Sequence, residues 1–239
     1  MSHLDLAVRR DPILRAERLN KVYWLGTAVY AVDNVTLDIE EGQYVLIKGA
    51  SGSGKSTLLS LMAGIDRPTS GEVILDGQRL NVLSENALCA VRRQKVGMIY
   101  QFFNLLPGLT ALENVALPIR LSGTPDWFAL RHAANLLERL GLAERSRHRP
   151  PQMSGGEQQR VAIARAMANE PKVLMADEPT ANLDSRTTRE IRKVLVELNR
   201  DLGQTVVVVT HDKGMAEDAH RVLTIADGRI IRDEAGGAA

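Results

Sequence analysis

Eight residues that join a short aliphatic run to a helix-like segment have the types and spacing needed to hold a polyphosphate. From Gly49 to Ser56 the chain reads glycine, four small residues, glycine, lysine and serine. Glycines let backbone N–H groups converge on phosphate oxygens, and the N-terminus of the following helix adds positive potential. Lys55 supplies a cation, and the Ser56 hydroxyl can ligate magnesium. The predicted triphosphate-binding residues are Gly49, Ser51, Gly52, Ser53, Gly54, Lys55, Ser56 and Thr57.

Two adjacent carboxylates end a second aliphatic run. Val173 to Ala176 have the composition of a buried strand, and Asp177 and Glu178 follow directly. Ligands of parallel sheets bind at the carboxyl ends of the strands. An aspartate there suits magnesium, and the next carboxylate can polarise a water molecule in line with the terminal phosphate. We therefore predict Asp177 and Ser56 as metal ligands and Glu178 as the catalytic base of triphosphate hydrolysis.

A turn of small residues provides a second place where an anion can bind. Ser154, Gly155 and Gly156 open a segment with helical periodicity, so that their amides form the helix N-terminus. One nucleotide has one terminal phosphate, whereas the chain offers two such sites. The pattern therefore predicts a homodimer in which each nucleotide lies between the first site of one copy and Ser154, Gly155 and Gly156 of the other.

Taken in order along residues 13–231, these motifs resemble those of ABC ATPases. The other matching positions are Gln101, the segment 181–184 and His211. The resemblance implies that the chain binds ATP and Mg²⁺ and hydrolyses ATP. It implies that Gln101 is a catalytic residue and a third metal ligand, in a mobile loop that senses magnesium and a membrane partner. It also implies that the catalytic residue His211 contacts the γ-phosphate and the attacking water. Asp184 is then the residue that contacts the second subunit.

Two further positions are interpreted through the same resemblance. Tyr23 is the aromatic residue expected to stack on adenine, with Trp24 and Tyr30 as nearby alternatives and packing against the antiparallel sheet as the other explanation. Glu157 stands where the family usually has glutamine. A carboxylate near a triphosphate is unfavourable unless it turns away or pairs with a cation, so Glu157 is assigned to support of the helix N-terminus.

The segment that follows Gln101 resembles the lipoprotein-releasing LolD and macrolide-exporting MacB group, with FtsE as a near relation. It contains Phe102, Phe103, Leu105 and Leu106 in a predicted loop. Such an apolar patch could receive a short helix of a membrane subunit. The alternative is that these side chains fill the core of a helical subdomain.

These residues require strands that alternate with helices. The sequence predicts an α/β fold of the P-loop NTPase, ABC-type class, with a mostly parallel core sheet, an N-terminal antiparallel β-subdomain and an inserted helical subdomain. The predicted boundaries are an N-terminal extension over 1–12, the ATPase domain over 13–231, the helical subdomain over about 84–168, and a flexible tail over 232–239.

Composition limits the partners. Thirty basic and twenty-nine acidic residues nearly cancel, so that no global field attracts nucleic acid. No run of about 18 apolar residues is present, no signal-peptide core begins the chain, and the single Cys89 indicates a reduced compartment. We expect a peripheral protein on the cytoplasmic face of the inner membrane.

The resulting interpretation is the ATP-hydrolysing subunit of a transport complex that exports a substrate, or extracts a lipoprotein or small molecule, through a separate permease of the MacB, LolC or FtsX kind. One alternative is an FtsE-like mechanical ATPase that controls a periplasmic process without transporting a cargo. A second alternative is an ABC ATPase that acts on DNA or ribosomes. The chain lacks the long coiled coil, the second ATPase domain and the basic stripe expected of that class.

Overall fold

The computed structural model describes residues 11–24 and 26–238, so residues 1–10 of the predicted N-terminal extension lie outside it. Within these ranges no helix is both long and apolar enough to cross a membrane. The elements in chain order are β1 (Leu14–Trp24), β2 (Ala28–Ile39), β3 (Tyr44–Lys48), α1 (Lys55–Met62), β4 (Ser70–Leu75), β5 (Gln78–Arg79), α2 (Glu85–Lys95), β6 (Val96–Ile99), α3 (Ala111–Leu121), α4 (Asp126–Arg139), α5 (Gly155–Met167), β7 (Val173–Asp177), α6 (Ser185–Leu202), β8 (Thr205–Thr210), β9 (Arg221–Ala226) and β10 (Arg229–Ala235).

The N-terminal strands form an antiparallel sheet in the order β2-β1-β4-β5. Leu14 of β1 faces Ile39 of β2 on one side and Leu75 of β4 on the other. All three side chains are fully buried, whereas intervening positions are exposed or half-buried, as one-sided sheets require. The predicted antiparallel β-subdomain is confirmed.

The central sheet has the order β10-β9-β3-β8-β7-β6, in which only β10 runs antiparallel to its neighbour. Strand β3 is buried on both faces. Ile47 joins the core under α1, and Leu46 points to the opposite core, which contains Ile163 of α5 and Ile191 of α6. This two-sided burial explains the continuous aliphatic runs of the sequence. The mostly parallel core sheet is confirmed, and the carboxyl ends of β3, β6, β7 and β8 meet at one edge.

A separate helical core is built from α3, α4 and the outer face of α5, around Val115, Leu137 and Val161. The interval predicted as helical, 84–168, also contains β6, which pairs in parallel with β7 and belongs to the central sheet. The sequence prediction was wrong for these four residues. Gly97 allows the strand to lie close to α5, because a β-carbon there would stand 2.4 Å from the Ala166 carbonyl oxygen.

The predicted flexible tail over 232–239 is also different in the structure. Residues 232–235 continue β10, and Asp233 forms two hydrogen bonds with Arg221, at 2.8 and 2.6 Å. Beyond the strand, the Gly236 amide donates to the His220 carbonyl at 2.9 Å. The described part of the tail is therefore bound to β9 and to the turn before it.

Candidate functional site

The glycine-rich loop lies between β3 and α1, as predicted, and the backbone of β2 packs closely against it. A β-carbon on Gly54 would stand 2.0 Å from the Ala31 carbonyl oxygen, and Gly54 has a φ of +100°. The Lys55 ammonium donates to the carbonyls of Gly49 and Ala50, at 2.9 Å each. Helix α1 has no side-chain cap and no acidic residue in its first turn, so its N-terminal amides are free to bind an anion.

Two of the three predicted metal ligands, Ser56 and Asp177, lie together beside this loop. The Ser56 hydroxyl donates to Asp177 Oδ1 at 2.8 Å. Burial raises the pKa of Asp177, and the Ser56 hydrogen bond partly opposes this rise. A half-buried carboxylate next to a hydroxyl is a donor set that suits Mg²⁺, which prefers oxygen ligands and whose coordination is commonly completed by phosphate oxygens. The side chains of Ser56 and Asp177 therefore fit the predicted magnesium.

The carboxylate of Glu178 is held by the neighbouring strand end. The Thr210 hydroxyl donates to Oε2 at 2.9 Å, and His211 Nδ1 lies 2.9 and 3.0 Å from the two carboxylate oxygens. Glu178 has a φ of +47°, a left-handed conformation that costs a non-glycine residue about 1–3 kcal/mol. Its amide donates to the Val209 carbonyl at 2.8 Å, which fixes this conformation. The structure thus brings together Glu178 and His211, 33 residues apart in sequence.

One cavity of about 630 Å³ contains most of the predicted site. Gln101, which lies just after β6, lines this cavity, and its backbone carbonyl accepts a hydrogen bond from the Asn182 side chain at 3.0 Å. The lining residues are Val29, Tyr30, Ala31, Ser51, Gly52, Gly54, Lys55, Ser56, Thr57, Gln101, Glu178 and His211. The cavity is therefore bounded by residues predicted to bind phosphate, to bind magnesium and to activate water.

The residue predicted to stack on adenine, Tyr23, lies beside the cavity rather than on its wall. Its hydroxyl donates to Asp66 Oδ2 at 2.9 Å, and its cross-strand partner Val29 is a lining residue. Tyr30, named above as an alternative, does line the cavity. Stacking of Tyr23 on adenine stays a prediction.

The second predicted phosphate site is outside this cavity. Ser154 is the N-cap of α5, and its Oγ accepts from the Glu157 amide at 3.3 Å. Glu157 Oε2 accepts from the Ser154 amide at 2.8 Å, which completes a capping box. The predicted role of Glu157 as support for the helix N-terminus is confirmed. Ser154, Gly155 and Gly156 are not among the residues that line this cavity of their own chain.

Comparison with known proteins agrees with this geometry. The family model described as "ABC transporter" matches residues 32–181. A lipoprotein-releasing system ATP-binding protein, LolD 1 of Chlorobium chlorochromatii, is 48% identical over 93% of this chain and 92% of the relative. This chain belongs to the ABC transporter family of ATP-binding proteins. It is an ATP-binding subunit and an ATPase.

Two other ABC proteins are informative. The macrolide export ATP-binding/permease protein MacB 1/2 of Paracoccus denitrificans is 47% identical over 95% of this chain, which spans only 34% of that longer protein. A dimeric ATP-binding cassette of Methanocaldococcus jannaschii, solved in a post-hydrolysis state with ADP and phosphate, has 43% identity and a TM-score of 0.87, covering 93% of this chain and 98% of that one. The predicted ABC-type fold is therefore confirmed.

The residue predicted to contact the second subunit of the ABC ATPase has a local role in the structure. Asp184 is the N-cap of α6 and accepts from the amides of Arg186 and Thr187, at 2.9 and 3.0 Å. Leu183 and Thr187 of this segment pack beside Gly155 and Gly156. Thr187 leaves no room for a side chain at Gly156, because a β-carbon there would stand 2.4 Å from Thr187 Cγ2. The start of α6 is thus packed closely against the second predicted phosphate site.

Two residues that the sequence analysis missed connect the site to its surroundings. Gln159 of α5 is fully buried and donates to the Pro179 carbonyl at 2.7 Å, next to Glu178. Arg165 of the same helix donates to the carbonyls of Phe103 and Asn104. A signal existed for Arg165, since this cation interrupts the apolar run over 161–168, but its loop partners are more than 60 residues away in sequence.

The apolar loop after Gln101 divides between the two expected roles. Phe102 and Leu106 are 71% and 45% exposed. Leu105 instead packs against the helical core, and buried Asn114 accepts from the Leu106 amide at 2.8 Å. Part of the loop therefore fills the core, and part of it remains available to a partner.

Proposed function

We propose that two copies of this chain close on two Mg-ATP molecules and reopen after hydrolysis, and that this cycle moves a separate membrane permease. The observation that carries the proposal is the common cavity in which Lys55, Ser56, Gln101, Glu178 and His211 converge. Closing on ATP shifts the population from the open to the closed dimer, and hydrolysis removes the ligand that favours closure.

Each group has a distinct task in the proposed reaction. The glycine-rich loop and Lys55 hold the phosphates, while Ser56, Asp177 and Gln101 hold magnesium, which would neutralise charge on the β- and γ-phosphates. Glu178 accepts a hydrogen bond from the attacking water, and His211 orients that carboxylate through Nδ1. Ser154 and the amides of Gly155 and Gly156 bind the γ-phosphate of the partner's nucleotide. We assign the subunit contact to Asp184 and adenine stacking to Tyr23.

The membrane partner is proposed from two supports. Relatives are named for lipoprotein release and for macrolide export, which makes export or extraction through a permease of the MacB, LolC or FtsX kind the favoured function. Exposed Phe102 and Leu106 lie in the loop that begins at Gln101, so that a short permease helix seated there would move with the predicted magnesium ligand Gln101. We propose that the protein lies peripherally on the cytoplasmic face of the inner membrane, where it would meet such a permease.

Mixing two inactive variants tests the shared site. Lys55→Ala removes the first phosphate site, and Ser154→Ala removes the second. In a mixed dimer, both substitutions lie at one nucleotide site and neither lies at the other, because each nucleotide binds between the first phosphate site of one copy and the second phosphate site of its partner. We expect each variant alone to be inactive and an equal mixture to regain about a quarter of the wild-type rate, from random pairing. If the ATPase rate of the mixture is no higher than the summed rates of the two variants, while sedimentation shows that mixed dimers form, the proposal is contradicted.

A further inference from the structure

We propose that Arg145 is a positioning residue that turns the Glu157 carboxylate away from the nucleotide of the partner copy and balances its charge; this rests on the proposed function above. Arg145 Nε lies 2.7 Å from Glu157 Oε1. The other oxygen, Oε2, accepts from the Ser154 amide. Both carboxylate oxygens of Glu157 are therefore hydrogen-bonded to groups of its own chain.

The capping box alone does not account for Arg145. A serine N-cap with glutamate three residues later satisfies two amides by itself, and glutamine serves equally well in that position. The arginine comes from twelve residues upstream, in a turn of helix at Ala143–Arg145. That turn is anchored by buried Leu142, and the following Ser146 carbonyl accepts from the Leu112 amide at 2.9 Å. The guanidinium is thus presented by a fixed segment.

Charge explains why a fixed cation matters at this site. The Arg145 guanidinium and the Ser154 amide lower the pKa of Glu157 to about 2, so the carboxylate is ionised at neutral pH. In the proposed dimer, Ser154, Gly155 and Gly156 approach a triphosphate, and an uncompensated carboxylate one residue away would repel it. With Arg145 in place the pair is neutral, and the Ser154 hydroxyl and the first amides of α5 keep their attraction for phosphate.

The test uses the chain with Glu178→Gln, so that bound ATP persists, and compares it with Arg145→Gln, Glu157→Gln and the double substitution. Sedimentation measures dimerisation at increasing concentrations of Mg-ATP. We expect Arg145→Gln to weaken ATP-dependent dimerisation about tenfold, a change of about 1.4 kcal/mol. Glu157→Gln and the double variant are expected to dimerise like the parent, because a neutral side chain needs no cation.

Three controls separate positioning from stability. Arg139→Gln, at an exposed position at the end of α4, changes net charge equally and is expected to have no effect. ATP binding by the monomer, measured with a fluorescent analogue, is expected to be unchanged in every variant because the first phosphate site is intact. Arg145→Lys keeps a cation and is expected to dimerise within about threefold of the parent, which tests the proposal even where Arg145→Gln folds poorly.

The outcomes distinguish this inference from the proposed function. Equal dimerisation of the parent and Arg145→Gln, or a double variant as weak as Arg145→Gln, would overturn the inference and leave the shared ATP site intact. A parent chain that binds ATP and remains monomeric would overturn the shared site and the inference with it.

Discussion

Replacement of Glu178 by glutamine should separate ATP binding from hydrolysis. The substitution keeps the shape of the side chain and an oxygen that can accept a hydrogen bond from the Thr210 hydroxyl, which lies 2.9 Å from Glu178 Oε2 in the wild-type chain. The φ of +47° and the amide hydrogen bond to Val209 do not depend on the carboxylate. The fold and the phosphate-binding loop should therefore be unchanged, whereas the acceptor for the proton of water is lost.

The magnitude follows from the contribution of a positioned general base, which is about 10²–10⁴ in rate. At 1.36 kcal/mol for each factor of ten, the barrier should rise by about 3–5 kcal/mol. Since bound ATP then persists, the variant should accumulate as a dimer in Mg-ATP.

Phosphate release at saturating ATP measures the rate, and sedimentation with and without ATP measures the dimer. Glu138→Gln, an exposed substitution on α4 remote from the cavity, is the matched control and should retain the wild-type rate. A Glu178→Gln rate within about threefold of the wild-type rate would refute the assignment of Glu178 as the general base, because loss of a general base lowers the rate by much more than threefold.

Two further predictions concern the residues around the second predicted phosphate site. Gly156→Ala should lower the free energy of unfolding, measured by chemical denaturation, by about 1–3 kcal/mol, because the new methyl group overpacks against Thr187 Cγ2. A second substitution, Thr187→Ser, removes the Cγ2 methyl group and should restore most of the lost free energy. Failure of this rescue would refute the contact. Because Arg145 contributes to lowering the pKa of Glu157 from 4.5 to about 2, its stabilising effect should be complete above pH 4.5 and fade as pH falls through about 2. Thermal melts of wild type and Arg145→Gln should therefore differ most near neutral pH and converge in acid, and a difference that grows on acidification would contradict this sign.

The parts of the site that are contiguous in sequence were predictable, because their chemistry and their backbone geometry are specified together. Gly49 to Ser56 contain both the glycines that the turn needs and the groups that bind phosphate. Asp177 and Glu178 end a strand that is buried on both faces, so their place at the carboxyl edge of the sheet followed from its aliphatic run.

The features that were missed depend on contacts between distant segments. Strand β6 has only four residues, too few to tell a buried strand from a helical turn by periodicity. The end of β10 is polar and carries the ion pair of Asp233 with Arg221, so it lacks the alternating apolar residues that signal a strand in a sequence. The Arg145–Glu157 pair spans an irregular segment between α4 and α5, where no spacing rule applies.

The most direct test of the shared site is an experimental structure of the Glu178→Gln chain with Mg-ATP. It is predicted to show a dimer in which the γ-phosphate near Lys55 of one copy lies about 3 Å from the Ser154 hydroxyl and the Gly156 amide of the other. An ATP molecule fully bound in the cavity, with the turn of Ser154 to Gly156 of every second copy remote from its γ-phosphate, would contradict the account.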